Sequence, residues 1–255
     1  MLRKLRILIA LLVLFFVAGT AALTRFRTTD WDNTLYVTIY PVNGDQSSAS
    51  SNYIKSLSDE SFADIEQHLA RQALTYRDIQ EKPFAISVAP EVMEQPPLPP
   101  AGGNVIQIMY WSMKMRYWAW THNTQPGPAP DIQIYVVYYD PKVYENVGHS
   151  FGLQKGLVGV VNAFAGRAEG KRNNVVVAHE LLHTLGATDK YDLSSNQPLY
   201  PIGYADPEQQ PLYPQKRAEL MAGRIPITAQ RAEQPDHLRQ TIIGKATAIE
   251  IGLLK

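Results

Sequence analysis

The stretch "VVVAHELLHTLGATDKYD", Val175 to Asp192, carries two of the chain's six histidines four residues apart, with an acid directly after the first. Residues four apart on an α-helix lie on one face. His179 and His183 therefore aim their imidazoles the same way, while Val177, Leu181 and Leu185 fall toward the other side and give the helix an apolar face to bury. Upstream, Asn173 or Asn174 serves as N-cap, and Gly186 is the left-handed terminator, which predicts a helix of about three turns. Two imidazoles at this spacing can chelate one zinc ion, and Glu180 sits where a carboxylate reaches a water on that ion without displacing it. The competing reading is an ordinary amphipathic helix with two hydrogen-bonded histidines.

A catalytic zinc takes three protein ligands and keeps a fourth position open. A left-handed turn at Gly186 brings the next side chains back toward the histidines, and Asp189 is the first of them able to ligate. Spacing thus gives His179, His183 and Asp189 as ligands, with Glu180 as general base. His-Glu-x-x-His alone is a moderately specific pattern, and Gly186 with Asp189 sharpens it.

The complete pattern, "HELLHTLGATD", resembles the zinc-binding consensus of the metzincin metallopeptidases, in the variant where aspartate is the third ligand. "DKYD" beyond it is similar to snapalysin-like and immune-inhibitor-A-like peptidases. The resemblance implies an α/β (α+β) zincin catalytic domain: a twisted mixed sheet, an active-site helix and an irregular C-terminal subdomain ending in a helix. It also implies one catalytic zinc, a peptide or protein substrate, and a tight turn with a methionine beneath the metal, for which Met221 in "AELMAGRIP" is suitably placed. Metzincin substrates lie extended beside an edge strand, and Gly148, His149, Ser150, Phe151 and Gly152 are the candidates for it. The chain departs from the pattern at Gly223, where some metzincins place a tyrosine two residues after that methionine, so the resemblance assigns no tyrosine to oxyanion support.

Composition limits the alternatives. The 24 Lys and Arg balance 24 Asp and Glu, and beyond the N-terminus no segment concentrates one sign, so nucleic acid has no electrostatic footprint here. Without cysteine, thiolate zinc ligands, disulfides, iron–sulfur clusters and thiol nucleophiles are excluded together, and a metal must rest on His, Asp or Glu. At the N-terminus, Arg3, Lys4 and Arg6 precede the uncharged run Ile7 to Thr24, which Arg25 and Arg27 close. A bilayer needs roughly 17 to 25 apolar residues, so residues 1–27 read as a membrane anchor, with the remainder facing outward, in a bacterium the periplasm. A signal peptide cleaved near Ala22 is the alternative, and it would release a soluble exported protein. Residues 28–255 then form one domain, with an upper part to 186 and a lower part from 187 that contains Met221.

The rest of the chain alternates strands and helices. "TLYVTIYPV" (Thr34 to Val42) is a strand, a Ser- and Asn-rich loop runs to about Ser56, and Ser58 caps a helix with Phe62, Ile65, Leu69 and Ala73 on its apolar stripe. His68 beside that stripe reads as a surface or boundary residue. "FAISVAP" is a second strand, and Ile108, Trp111, Met115 and Trp118 mark a helix packed on the sheet. "DIQIYVVYYDP" is a third strand, followed by a hairpin around Lys155-Gly156 and then the motif helix. After Asp189 the prolines and tyrosines predict a packed irregular segment, closed by a helix from about Pro235 to Ile251. His149 is a spare ligand candidate, whereas His122 and His237 have no partner at ligand spacing.

Three functions fit these residues. The first is a zinc peptidase. The second is a membrane-tethered binding or assembly protein that keeps the metal and cleaves nothing, against which the intact Glu180 weighs. The third is a zinc hydrolase of a non-peptide amide such as cell-wall material, which shares all the chemistry.

Overall fold

The computed structural model describes residues 27–79, 82–100, 102–154 and 156–254, together with Leu11, Phe15 and Gly19. Apart from those three residues the run Ile7 to Thr24 lies outside the described residues, as does Lys155. Among the described residues no helix is long and apolar enough to cross a membrane.

The chain forms a mixed α/β fold in which one five-stranded sheet is covered on both sides. In order come β1 (Leu35–Asn43), α1 (Ser48–Ile54), α2 (Ala63–Leu74), β2 (Phe84–Val88), α3 (Val105–Thr121), β3 (Ile132–Tyr139), β4 (Phe151–Leu153), β5 (Val158–Phe164) and α4 (Gly170–Leu185). The strand order is β2-β1-β3-β5-β4, parallel throughout except for β4, which runs antiparallel to β5 at the edge. Successive strand residues point to opposite faces. In β3, Ile132, Ile134, Val136 and Tyr138 join the core shared with α2 and α4, whereas Tyr135 and Val137 join a second core under α3. Burial on both faces is why this strand reads as a continuous apolar run rather than an alternating one.

Several local expectations are corrected by tertiary packing. The Ser-rich stretch before Ser56 is not a loop throughout: Ser47 accepts from Ser50 N at 3.0 Å and caps α1, which buries Ser50 and Ile54. His68 is no surface residue; it is 3% exposed. The Thr241 hydroxyl donates to Leu238 O at 2.8 Å, so His68 Nε2–H donates to Thr241 Oγ1, 3.0 Å away. Ile108 was expected on the buried stripe of α3 but is 47% exposed, while Trp111, Met115 and Trp118 are buried as expected. Those three residues and Ala119 share a core with Tyr40, Tyr135 and Val160 of the sheet, and Ile108 does not join it.

Beyond Gly186 the chain is irregular, as its prolines demand, with four two-residue strands: β6 (Ala218–Glu219), β7 (Ile225–Pro226), β8 (Ala232–Glu233) and β9 (Thr241–Ile242). The closing helix is shorter than expected. It is α5 (Lys245–Glu250), because the β-branched residues Thr241 and Ile242 pair in parallel with β6 and Gly244 then opens the helix.

Candidate metal centre

The motif helix α4 lies beside β4 and β5 on one face of the sheet. It starts earlier than its asparagines suggested, with Glu169 at the N-cap position, so it is longer than three turns. Asn173 and Asn174 are spent on packing instead of capping. Asn173 Nδ2 donates to Phe164 O at 2.8 Å, and Asn174 Nδ2 donates to Ser61 O at 2.9 Å and Asp64 Oδ1 at 2.6 Å, tying the helix to β5 and to the entry of α2. Val177, Leu181 and Leu185 are buried as expected, each worth about 1.5–3 kcal/mol of apolar burial. The edge strand approaches so closely that Gly152 admits no side chain: a Cβ there would stand 2.6 Å from Glu180 O and 2.7 Å from His183 Cβ.

Gly186 ends α4 in the left-handed region, with φ 104°, and returns the chain toward the histidines. His179, His183 and Asp189 come together as expected, with one ligand atom from each lying within 4.8 Å of the others. His179 Nε2 and His183 Nε2 are 3.0 Å apart, and Asp189 Oδ1 lies 3.2 and 3.1 Å from them. His179 Nδ1 lies 2.9 Å from Leu220 O and His183 Nδ1 2.8 Å from Ala187 O. Carbonyl oxygens only accept, so both Nδ1 atoms carry hydrogen, and each imidazole when neutral presents its Nε2 lone pair to the same point. Three acceptors this close repel one another unless a cation or a shared proton lies between them. Burial disfavours the His179 imidazolium, yet the Asp189 and Glu180 carboxylates and Leu220 O outweigh it and hold its pKa up at about 8. Burial likewise disfavours the Asp189 carboxylate, but the two imidazoles keep it well below the usual carboxylate range. The group can hold a metal ion, and its donor set of two imidazoles and one carboxylate fits one.

Glu180 is 5% exposed, and its Oε2 is buried without a hydrogen-bond partner among the described residues. Burial raises its pKa, with the two imidazoles opposing. An unpaired buried carboxylate oxygen costs stability unless something outside the chain satisfies it. It lines a cleft of about 420 Å³ together with His179, Tyr191, Gly148, His149 and Ser150. Two larger hollows, of about 730 and 610 Å³, bring no histidine to their walls and are unrelated to this chemistry.

The remaining expected residues divide. Met221 is fully buried in a 3-10 turn, Leu220–Ala222, which Gly223 closes at φ 67°, and its carbonyl accepts from Lys190 N at 3.0 Å. His149 lines the cleft but stands outside the ligand group; Asn162 Nδ2 holds its carbonyl at 2.8 Å. Phe151 turns away and packs edge-on against Trp111 with ring centroids 5.0 Å apart, while Gly152 faces α4. His122 pairs with Glu94 at 2.9 Å.

Three supports escaped the sequence reading. Leu220 contributes through its carbonyl, which no residue pattern reports. Tyr191 lies in the cleft wall beside Asp189 and Glu180, and burial followed by those carboxylates raises its pKa. Its signal was present in "DKYD", two residues after the third ligand. Lys190 between them is fully buried, its Nζ donating to Glu250 Oε2 at 2.7 Å and to Thr188 O at 2.8 Å, so α5 braces the segment that carries Asp189.

No family model matches the sequence, and no curated protein matches it. Solved chains do match in shape; one, described as the structure of a chaperone-substrate complex, shares 9% sequence identity with a TM-score of 0.40. The match covers 86% of this chain and 34% of the other, so this chain spans about a third of that one's length. At that similarity nothing about function is transferred.

Proposed function

We propose that the protein is a zinc-dependent peptidase. The observation that carries this reading is the meeting of three acceptor atoms at one point beside a buried carboxylate oxygen that nothing in the described chain satisfies. His179 Nε2, His183 Nε2 and the Asp189 carboxylate would hold the ion. Zinc bound there would supply Lewis acidity, lowering the pKa of water and polarising the scissile carbonyl.

The chain's own residues do the rest. Glu180 Oε2 takes a proton from the attacking water as the new C–O bond forms, then delivers it to the amine nitrogen as the C–N bond breaks. Its raised pKa suits a group that must both accept and return a proton. Tyr191, held protonated, is a hydroxyl donor in the cleft wall for the carbonyl oxygen as negative charge develops on it. Among the described residues β4 is the edge strand of the sheet and pairs with β5 alone, and an extended peptide can add to it by backbone hydrogen bonds.

The test joins metal analysis of the purified protein with a peptide-library cleavage assay on wild type and Glu180→Gln. One zinc per chain, cleavage by wild type, and loss of roughly 10²- to 10⁴-fold in the variant with zinc retained is the expected result. A zinc-loaded wild type that cleaves no peptide would remove the peptidase reading and leave a metal-binding protein.

A further inference from the structure

Helix α3 is apolar on both sides, yet only one side is covered. Trp111, Met115 and Trp118 face the sheet. Ile106, Met109, Tyr110, Met113, Tyr117 and Trp120 face outward and are 62–77% exposed. At 3.6 residues per turn these six fall in one continuous stripe, roughly 21 Å long at about 1.5 Å per residue. Lys114 and Arg116 fall on either side of that stripe, both exposed, and the helix carries no acid. A helix hydrophobic all round belongs in an apolar environment on both sides. An aromatic, Met-rich stripe bordered by cations matches a bilayer interface, where Trp and Tyr sit at headgroup level and basic side chains reach anionic lipid.

The start of the described chain points to the same occupant. Arg27, which closes the apolar run Ile7 to Thr24, pairs with Asp131 at 3.7 Å. Arg27 and Asp131 line one hollow with Gln125, Pro128 and Pro130, all in the loop that leads out of α3 into β3. Arg27 thus stands beside the loop that follows α3, at the N-terminal ends of β1 and β3. Leu11 and Phe15, two residues of the run that the structure describes, are 56% and 78% exposed.

We infer that the outer face of α3 rests in the headgroup layer of the bilayer that the Ile7 to Thr24 run enters, giving the domain a second membrane contact. The inference rests on reading that run as a membrane segment and is independent of the peptidase reading. Because α4 covers the opposite face of the sheet from α3, this attachment directs the metal centre away from the lipid.

The absence of native cysteine makes the test direct. Full-length protein carrying Met113→Cys, Tyr117→Cys or, as an exposed control in the C-terminal segment, Glu208→Cys is labelled with an environment-sensitive fluorophore. It is then reconstituted into phosphatidylcholine–phosphatidylglycerol vesicles. The labels on α3 should be quenched by nitroxide-bearing lipid and be several-fold less accessible to iodide than the control. Equal iodide access at all three positions, in protein that floats with the vesicles, would keep the anchor and overturn the α3 contact. Protein that does not float with the vesicles overturns both. Energy transfer between α3 labels on separate copies, without quenching by lipid, assigns the face to a second copy of the chain and also overturns the inference.

Discussion

His179 Nδ1 donates to the carbonyl oxygen of Leu220 across 2.9 Å, although the two residues are 41 apart in the chain. This bond fixes the tautomer that leaves Nε2 free and orients the ring, so a turn in the C-terminal segment completes a site begun on α4. Met221, the next residue, is fully buried and anchors that turn.

Met221→Ala should therefore act on both stability and metal. Removing the buried side chain should cost about 2–5 kcal/mol, and loosening the support of His179 should lower metal affinity about 10- to 100-fold. Denaturant unfolding and zinc competition against a chelator measure the two effects separately. Unchanged zinc affinity in a destabilised variant would make the turn a packing element only.

His183→Ala removes one of the three converging donors and should abolish tight zinc binding, since Asp189 and His179 alone leave the ion to solvent. Metal analysis after dialysis reads the outcome directly. Full occupancy would mean that the ion sits elsewhere.

Gly152→Ala tests the close approach of β4 to α4. Its Cβ would enter the space of Glu180 O and His183 Cβ, so β4 must move away, at a cost of about 1–3 kcal/mol. Cleavage should fall more than zinc content does, because the strand shifts while the three ligands stay. A fully stable, fully active variant would refute the contact.

Acid stability should depend on His68. Burial first, then Arg71, lowers its pKa from 6.5 to about 4, so between those values the unfolded chain takes up a proton that the folded one resists. The contribution is complete above pH 6.5 and is lost as pH falls toward 4, amounting to at most about 3 kcal/mol. His68→Gln should flatten the stability profile in that window. A variant whose profile keeps the wild-type slope would place the acid sensitivity on other groups.

Much of the site was legible because it is local. His179, Glu180, His183, Gly186 and Asp189 fall within one helix and the turn after it, where 3.6-residue periodicity and a glycine terminator decide where side chains point. The five strands of the main sheet, with the β4–β5 hairpin, were legible for the same reason. What failed were boundaries and burial: α1 hidden in a serine-rich stretch, the shortened closing helix, the buried His68 and the exposed Ile108. The closing helix and His68 depend on partners distant in sequence. Thr241 buries His68 from 173 residues away, and β6 turns residues 241 and 242 from helix to strand.

The sequence by itself placed His179 and His183 on one helix face, since spacing on a helix is geometry that no later packing alters, and its lack of cysteine left His and carboxylate as the side chains on which a metal could rest. Only the tertiary structure decided which tautomer those histidines adopt, because that is set by the carbonyls of Leu220 and Ala187. Only it left Glu180 Oε2 buried and unpaired among the described residues, because that is set by what the folded chain places beside it. A backbone carbonyl has no letter in a sequence, and a missing partner has none either.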